Sequence, residues 1–225
     1  MTGELMSPTM WLLGGVIAFG FGTQMMVGFG AILLILGIGA QWLPLTRLMP
    51  IAVLFSALSS AVMVLRHRRQ VVWALLLRQV FPLVLVGLVA GFGMRELVPA
   101  AVLKRLFGGL VVLLALRGIA VQLWKRTNNP LPVWVRRGLL LLAGTVHGMF
   151  ATGGPLVTYA LGRSDLPKER LRTTLLALWM VSNSVMSGMF LASGQWDMTT
   201  VGMAGRLLPF LLVGVVLGQW AHQRV

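Results

Sequence analysis

Long apolar stretches alternate with short polar connections along the whole chain. The stretches cover residues 9–40, 48–65, 71–94, 101–123, 134–162, 173–193 and 199–221. Each is too long for a strand, and none shows the period-two alternation of a half-buried strand. Because a backbone in hydrocarbon must satisfy its own hydrogen bonds, the pattern predicts an all-α protein that crosses a membrane several times.

The first stretch is too long for a single crossing and carries helix breakers near its middle. A helix over residues 9–40 would be about 48 Å long, whereas the hydrocarbon core is about 30 Å thick. Gly28 and Gly30 interrupt it, and Thr152-Gly-Gly-Pro155 interrupts the stretch over residues 134–162. Since glycine lowers helix stability and proline removes a donor, the sequence predicts a broken helix at each place.

The two breaks belong to a repeat that runs through the chain. The segment GFGTQMMVGFG (20–30) aligns with GTVHGMFATGG (144–154), and PLVLVGLVAG (82–91) aligns with PFLLVGVVLG (209–218). Between these segments Arg47 and Ser59 match Arg172 and Ser184 at nearly the same offset. These matches predict two homologous membrane repeats, residues 1–127 and 128–225. The second repeat ends after the helix with Gly214 and Gly218, so either it lacks its last helix or the sequence is truncated.

Composition agrees with a membrane protein and excludes several kinds of site. The 225 residues are 57% hydrophobic and 11% charged, with a mean hydropathy of +0.87. Cysteine is absent, which excludes disulfides, Cys-ligated zinc and iron–sulfur clusters. The net charge of +14 comes mostly from short loops and segment ends, so it indicates topology and contact with anionic lipid rather than nucleic-acid binding. The N-terminus lacks a basic region and carries Glu4, so no cleaved signal peptide is expected.

The distribution of positive charge predicts how the broken segments lie. If both turn back as re-entrant hairpins, thirteen basic residues fall on one side of the membrane and five on the other. If both cross, this bias largely vanishes, so the positive-inside rule favours hairpins and an inverted second repeat. The loops over residues 66–69 and 125–137 are then cytoplasmic, and the protein is a multi-pass protein of the cytoplasmic (inner) membrane.

The breaks are the strongest candidates for a binding site. A half-helix that begins inside the bilayer presents free N–H groups and the positive end of its dipole, which suits an anion. The alternative is that these glycines only relieve crowding where helices cross. The candidate substrate-binding residues are the break positions and three polar side chains near them: Gln24, Gly28, Gly30, Ala31, His147, Thr152, Gly153, Gly154, Pro155 and Asn183.

Several other charged and small residues can be interpreted as either structural or functional. Two repeat-related pairs, Arg47 with Arg172 and Arg78 with Arg206, either attract an anion or reach toward lipid headgroups. All five acids lie at the chain start, in loops or at segment ends, which argues against a cation substrate. The pairs Gly87/Gly91 and Gly214/Gly218 let helices approach closely, either between the repeats or between the subunits of a homodimer. Seven of the eight tryptophans lie near segment ends, and Trp179 is the exception.

Together these features predict a secondary transporter that binds a small anion between the two breaks and exposes it alternately to each side. No catalytic set, metal site or cofactor is expected, so the chain is not predicted to be an enzyme. Two alternatives remain open, a non-transporting assembly subunit and an anion channel.

The motifs resemble those of the sulfite exporter TauE/SafE family. The residues that carry the resemblance are Gly28-Phe-Gly30, HGMFATGGP (147–155), RHRRQVVW (66–73) and SGQWD (193–197). The resemblance implies two four-helix repeats and a substrate such as sulfite, a sulfonate or a related organic anion. The chain departs from the family's triple-glycine run at both breaks, and the eighth segment that the resemblance implies is not found within residues 1–225.

Overall fold

The computed structural model describes residues 7–123, 131–162 and 166–224, which fold almost entirely as helices. In the first half, α1 covers Pro8–Val27, α2 Ala31–Gly39 and α3 Leu45–His67. A continuous helical segment follows, made of α4 (Trp73–Leu75), a π-helical turn (Leu76–Val80) and α5 (Phe81–Glu96). Helix α6 (Ala100–Leu123) comes after it. The second half contains α7 (Val133–Phe150), α8 (Gly154–Leu161), α9 (Lys168–Ala192) and α10 (Met198–His222). The boundary predicted between residues 127 and 128 lies outside the described residues.

Five of the described helices are long and apolar enough to cross a membrane. These helices carry large apolar side chains such as Phe19, Val86 and Val216, each more than half exposed. An exposed apolar surface of this kind is suited to lipid, and it agrees with the all-α membrane class predicted from hydropathy.

The chain forms two compact units, and each combines segments from both halves of the sequence. The first unit comprises residues 1–66 and 179–225, and the second comprises residues 67–178. Each unit therefore contains one of the two sequence breaks. The two repeats inferred from the sequence stay a prediction, and these units do not coincide with them.

In the first unit, α1 packs against α10 along a line of small residues. A Cβ added to Gly214 would collide with the backbone of Ala18, and one added to Gly218 would collide with the backbone of Gly22. Because both sequence numbers rise together along this contact, the two helices run parallel. The absence of side chains lets the two backbones touch, which maximises dispersion contact where no hydrophobic effect drives association.

The second unit contains an equivalent parallel pair, α5 with α7. A Cβ at Gly87 would collide with Leu141 O, and one at Gly91 with Thr145 O. In return, Gly144 and Gly148 of α7 lie against the carbonyls of Val84 and Leu88. The predicted glycine faces are thus occupied within the chain, and each joins a helix of one half to a helix of the other.

Candidate functional site

The first break is a short turn built on two glycines. Helix α1 ends at Val27, and Gly28 follows with φ 93°, its N–H donating to Gln24 O at 2.8 Å. Gly30 has φ 106° and precedes α2, whose first residue, Ala31, is fully buried. Both φ values lie in the left-handed region, which glycine enters without steric cost.

Helix α2 returns along α1 after this turn. A Cβ at Gly20 would lie 3.2 Å from Ala31 O, and one at Gly39 would lie 3.2 Å from a methyl carbon of Leu13. The pairings Gly20–Ala31 and Leu13–Gly39 run in opposite sequence directions, so α1 and α2 form an antiparallel hairpin. Its orientation in a membrane stays a prediction.

A tryptophan from the second half holds this turn. The indole Nε1 of Trp179 donates to Gly28 O at 3.0 Å, and its side chain is 4% exposed. The tryptophans near segment ends differ, since Trp11, Trp134 and Trp220 are more than half exposed. The mid-segment position of Trp179 was the only sequence sign of this contact, and no role was predicted for it.

A buried polar cluster lies in the same unit. Asn183 Nδ2 donates to Ser56 Oγ at 3.0 Å, while Gln24 Nε2 donates to the same oxygen at 3.1 Å and to Ser60 Oγ at 3.3 Å. All four side chains are at most 2% exposed. The structure therefore brings together two predicted site residues, Gln24 and Asn183, through a serine. Ser60 was not singled out from the sequence.

The second break lies in the other unit and differs in construction. Helix α7 ends at Phe150, and Ala151 follows in the left-handed conformation with φ 55°. The Ala151 N–H donates to His147 O, which closes the helix. Gly153 then precedes α8, which begins at Gly154 with Pro155 in its first turn. Because a non-glycine residue with positive φ is uncommon and strained, no sequence pattern indicates this conformation for Ala151.

His147 packs under this turn. Gly153 N–H donates to His147 Nδ1 over a long 3.5 Å, and the imidazole is 1% exposed. A Cβ at Gly153 would collide with Ala143 O and lie 3.0 Å from His147 Cβ. Gly153 is therefore required for close packing, whatever else it does.

Thr152 supplies the most informative side chain of the second break. It is 4% exposed, and its Oγ1 has no hydrogen-bond partner within the described residues. A buried hydroxyl without a partner costs free energy, on the order of 1–3 kcal/mol. Next to it, the N–H of Gly154 opens α8 and by helix geometry has no intrahelical acceptor. The Thr152 hydroxyl and the Gly154 N–H are thus two donors, two residues apart in the chain, at the beginning of α8.

The four candidate arginines occupy different settings. Arg172 Nη2 lies 3.4 Å from Glu169 Oε2, so its charge is partly matched within α9. Arg47 lies near Asp197, whose pKa it helps to lower. Arg206 is exposed on α10, and Arg78 lines a cleft with Arg136 and Arg137. Among the described residues, no group of three or more His, Asp or Glu side chains is placed to hold a metal ion.

The comparison with protein families decides what kind of protein carries these breaks. The family model described as Sulfite exporter TauE/SafE matches residues 10–225, which is nearly the whole chain. The chain belongs to the TauE/SafE family. It is therefore a multi-pass membrane protein of a transporter family, as its motifs suggested. No curated protein and no solved structure matches this TauE/SafE chain.

Proposed function

We propose that this TauE/SafE protein is a secondary transporter that carries a small sulfur-containing anion, of the sulfite or sulfonate type, across the cytoplasmic membrane by alternating access. The observation that carries this proposal is the buried, unpartnered hydroxyl of Thr152 at the start of α8. A hydroxyl without a partner among the described residues gains one when an oxyanion binds, so part of its desolvation cost is recovered in the complex.

The chemistry of the second break suits an oxyanion. The Thr152 hydroxyl and the Gly154 N–H are both donors, and the positive end of the α8 dipole lies at the same place. Sulfite and sulfonates present several acceptor oxygens on one small tetrahedral or pyramidal group, so two or more donors bind one substrate. His147 packs beneath the same turn, with its Nδ1 3.5 Å from Gly153 N.

The distribution of acids supports an anion over a cation. The acids within the described residues are Glu96, Glu169 and Asp197, and all three are exposed. Carriers of cations use carboxylates buried within the membrane, where each is costly and requires a functional reason. Coupling to protons would then involve His147 or the protonation of the substrate itself.

The helix pairings support the hairpin topology for this transporter. Suppose that α3, α5, α6 and α9 each cross the membrane once. Helices α1 and α10 can then be parallel only if the two broken segments both turn back or both cross. Since α2 returns along α1, both would be re-entrant, and the two halves would have opposite orientations. The loop over residues 66–69 and the loop over 125–137, of which 125–130 lie outside the described residues, would then share the cytoplasmic side.

The experiment that tests the site is anion binding to the purified chain, measured by thermal shift and isothermal titration. The panel contains sulfite, a taurine-like sulfonate, sulfate, phosphate and acetate. We expect selective stabilisation by sulfite or the sulfonate, and Thr152→Val should weaken that binding by roughly tenfold, which corresponds to one lost hydrogen bond to a charged group. The melting temperature of the unliganded variant should not fall, because valine keeps the shape and removes an unpaired hydroxyl.

The matched control is Thr145→Val on α7. Thr145 Oγ1 already donates to Leu141 O at 3.1 Å, so this variant should bind the anion as the natural protein does. If Thr152→Val binds every anion unchanged, the second break is not the site. Saturable counterflow in proteoliposomes then separates a carrier from a channel, because an open pore does not show it. Gly153→Val is unsuitable here, since its side chain would collide with Ala143.

A further inference from the structure

A cleft of about 270 Å³ lies in the second unit, between the π-helical turn before α5 and the first two turns of α7. Three arginines line it: Arg78 from the turn, and Arg136 and Arg137 from α7. The rest of the lining is Gln79 and the apolar side chains of Pro82, Leu83 and Leu140. This cleft is separate from the break at Thr152, which lies at the opposite end of α7.

The parallel packing of α5 and α7 explains why these arginines meet. The interlocked glycines Gly87, Gly91, Gly144 and Gly148 fix the two backbones side by side and in the same direction. The beginnings of both helices therefore lie at one end of the unit. Arginines that are far apart in sequence are thereby gathered around one opening.

Within the part of the chain that the structure describes, no acidic side chain balances the positive charge of the cleft. No acid lines it, and no ion pair involves Arg78, Arg136 or Arg137 among the described residues. Arg136 Nη2 donates to Gln79 Oε1 at 3.0 Å, which orients its guanidinium but leaves its charge unmatched. Three like charges around one cleft repel each other, and an anion between them would relieve this repulsion.

The electrostatics at the beginning of α7 also favour a bound anion in the cleft. Cations near a helix N-terminus are unfavourable, because the dipole is positive there. Helix α7 nevertheless carries Arg136 and Arg137 near its beginning, has no acid in its first turn, and has no side-chain cap from Pro132. An arrangement that breaks a local rule without compensation in the protein is expected where a ligand supplies the missing charge.

We propose that this cleft binds the phosphate group of an anionic glycerophospholipid. Guanidinium forks match phosphate oxygens in geometry and charge, and basic pockets between membrane helices accept such headgroups. The apolar wall argues for a lipid over a soluble phosphate. Beyond the half-buried Leu83, the apolar side chains of Val86 and Val89 on α5 and of Leu141 and Leu142 on α7 are exposed, and they would receive an acyl chain.

The test uses the full chain purified in an uncharged detergent. Mixed micelles with phosphatidylglycerol are compared with micelles that contain phosphatidylcholine, and inorganic phosphate forms a third arm. We expect phosphatidylglycerol to raise the melting temperature and native mass spectrometry to detect a retained lipid. In the variant with Arg78→Gln, Arg136→Gln and Arg137→Gln, phosphatidylglycerol should no longer raise the melting temperature. Its apparent lipid affinity should be at least tenfold weaker.

The matched control is Arg105→Gln, an exposed arginine on α6 of the same unit. It should keep the full response to phosphatidylglycerol. An equal loss in Arg105→Gln would mean non-specific attraction and overturn the site, and equal stabilisation by inorganic phosphate would overturn the lipid. If the triple variant does not fold, the exposed single variant Arg137→Gln serves instead, and an unchanged affinity there would count against the proposal.

Discussion

The indole Nε1 of Trp179 donates a hydrogen bond to the carbonyl oxygen of Gly28 at 3.0 Å. This contact joins the middle of α9 to the turn between α1 and α2, so a residue of the second half fixes the break of the first half. The Gly28 carbonyl cannot be paired in a regular helix there, because α1 has already ended. Trp179 supplies the missing donor in an interior where water does not.

We expect Trp179→Phe to destabilise the protein. The ring is retained, but Gly28 O loses its donor, which costs about 1–3 kcal/mol for a buried polar group. Thermal unfolding in detergent measures the change. Trp134→Phe is the control, since Trp134 is 77% exposed and should have little effect. A similar melting temperature for both variants would mean that the hydrogen bond to Gly28 contributes nothing.

Glycines of α5 should respond to alanine with opposite signs. Gly91→Ala places a methyl group against Thr145 O, so α5 and α7 must separate at a cost of about 1–3 kcal/mol or more. Gly93→Ala, on the same helix, meets nothing within 4 Å and should stabilise by about 0.5–1 kcal/mol, because alanine favours the helix. Thermal unfolding of both variants shows whether the steric effect of the added methyl group or its effect on helix propensity dominates at each position. If Gly93→Ala destabilises as much as Gly91→Ala, close approach to α7 is not the reason for glycine at position 91.

Ser56 should couple Gln24 to Asn183. Its oxygen accepts from both amides, so Ser56→Ala leaves two buried amides short of a partner and should cost about 1–3 kcal/mol. A double-mutant cycle with Asn183→Ala should give a coupling free energy of about 0.5–3 kcal/mol. Ser184→Ala is the control, because its exposed hydroxyl bonds only Met180 O among the described partners. Additive effects of Ser56→Ala and Asn183→Ala would show that the cluster is not a unit.

Asp197 should make stability depend on pH in the acid range. The hydroxyl and the backbone N–H of Thr200 lower the pKa of Asp197, and the charge of Arg47 lowers it further. A carboxylate with a depressed folded-state pKa stabilises the protein above its unfolded pKa, about 3.9. This stability is lost as the pH falls through the lower, folded-state pKa.

The comparison for this pH dependence is Asp197→Asn. Asparagine still caps α10 through its oxygen but does not titrate. The natural protein should therefore lose more of its melting temperature than the variant between neutral pH and pH values below that of a free aspartate. Parallel acid profiles for the two proteins would show that Asp197 is not responsible. Thr200→Val, which removes the hydroxyl donor, should give an intermediate profile.

Much of this fold could be predicted because a segment that crosses a membrane must be apolar, helical and long enough to span it. Hydropathy located the helices closely, and the glycines marked the position where α1 ends. The partners of the glycine faces could not be predicted in the same way. Gly87 and Gly91 show that some backbone comes close, but only tertiary packing decides that it belongs to α7.

In the candidate site, too, some features could be predicted from the sequence and others depend on tertiary packing. Gln24 and Asn183 could be recognised because an amide in an apolar segment needs partners, yet the serine that joins them depends on how α1, α3 and α9 pack. Ala151 could not be recognised, since the left-handed conformation is expected of glycine. The arginine cleft joins residues far apart in sequence, and no local pattern relates Arg78 to Arg136.

The glycine contact of α1 with α10 has a consequence for biosynthesis. Residues Gly14–Gly22 are synthesised long before their partner around Gly214–Gly218. Until then the small-residue face of α1 must be covered by lipid, by α2 or by a chaperone of the insertion machinery. Because contacts between distant segments form late and slowly, the first unit cannot close before α10 has been synthesised. A nascent chain that contains α9 but not yet α10 would have all the segments of the second unit, residues 67–178, while the first unit would still lack α10.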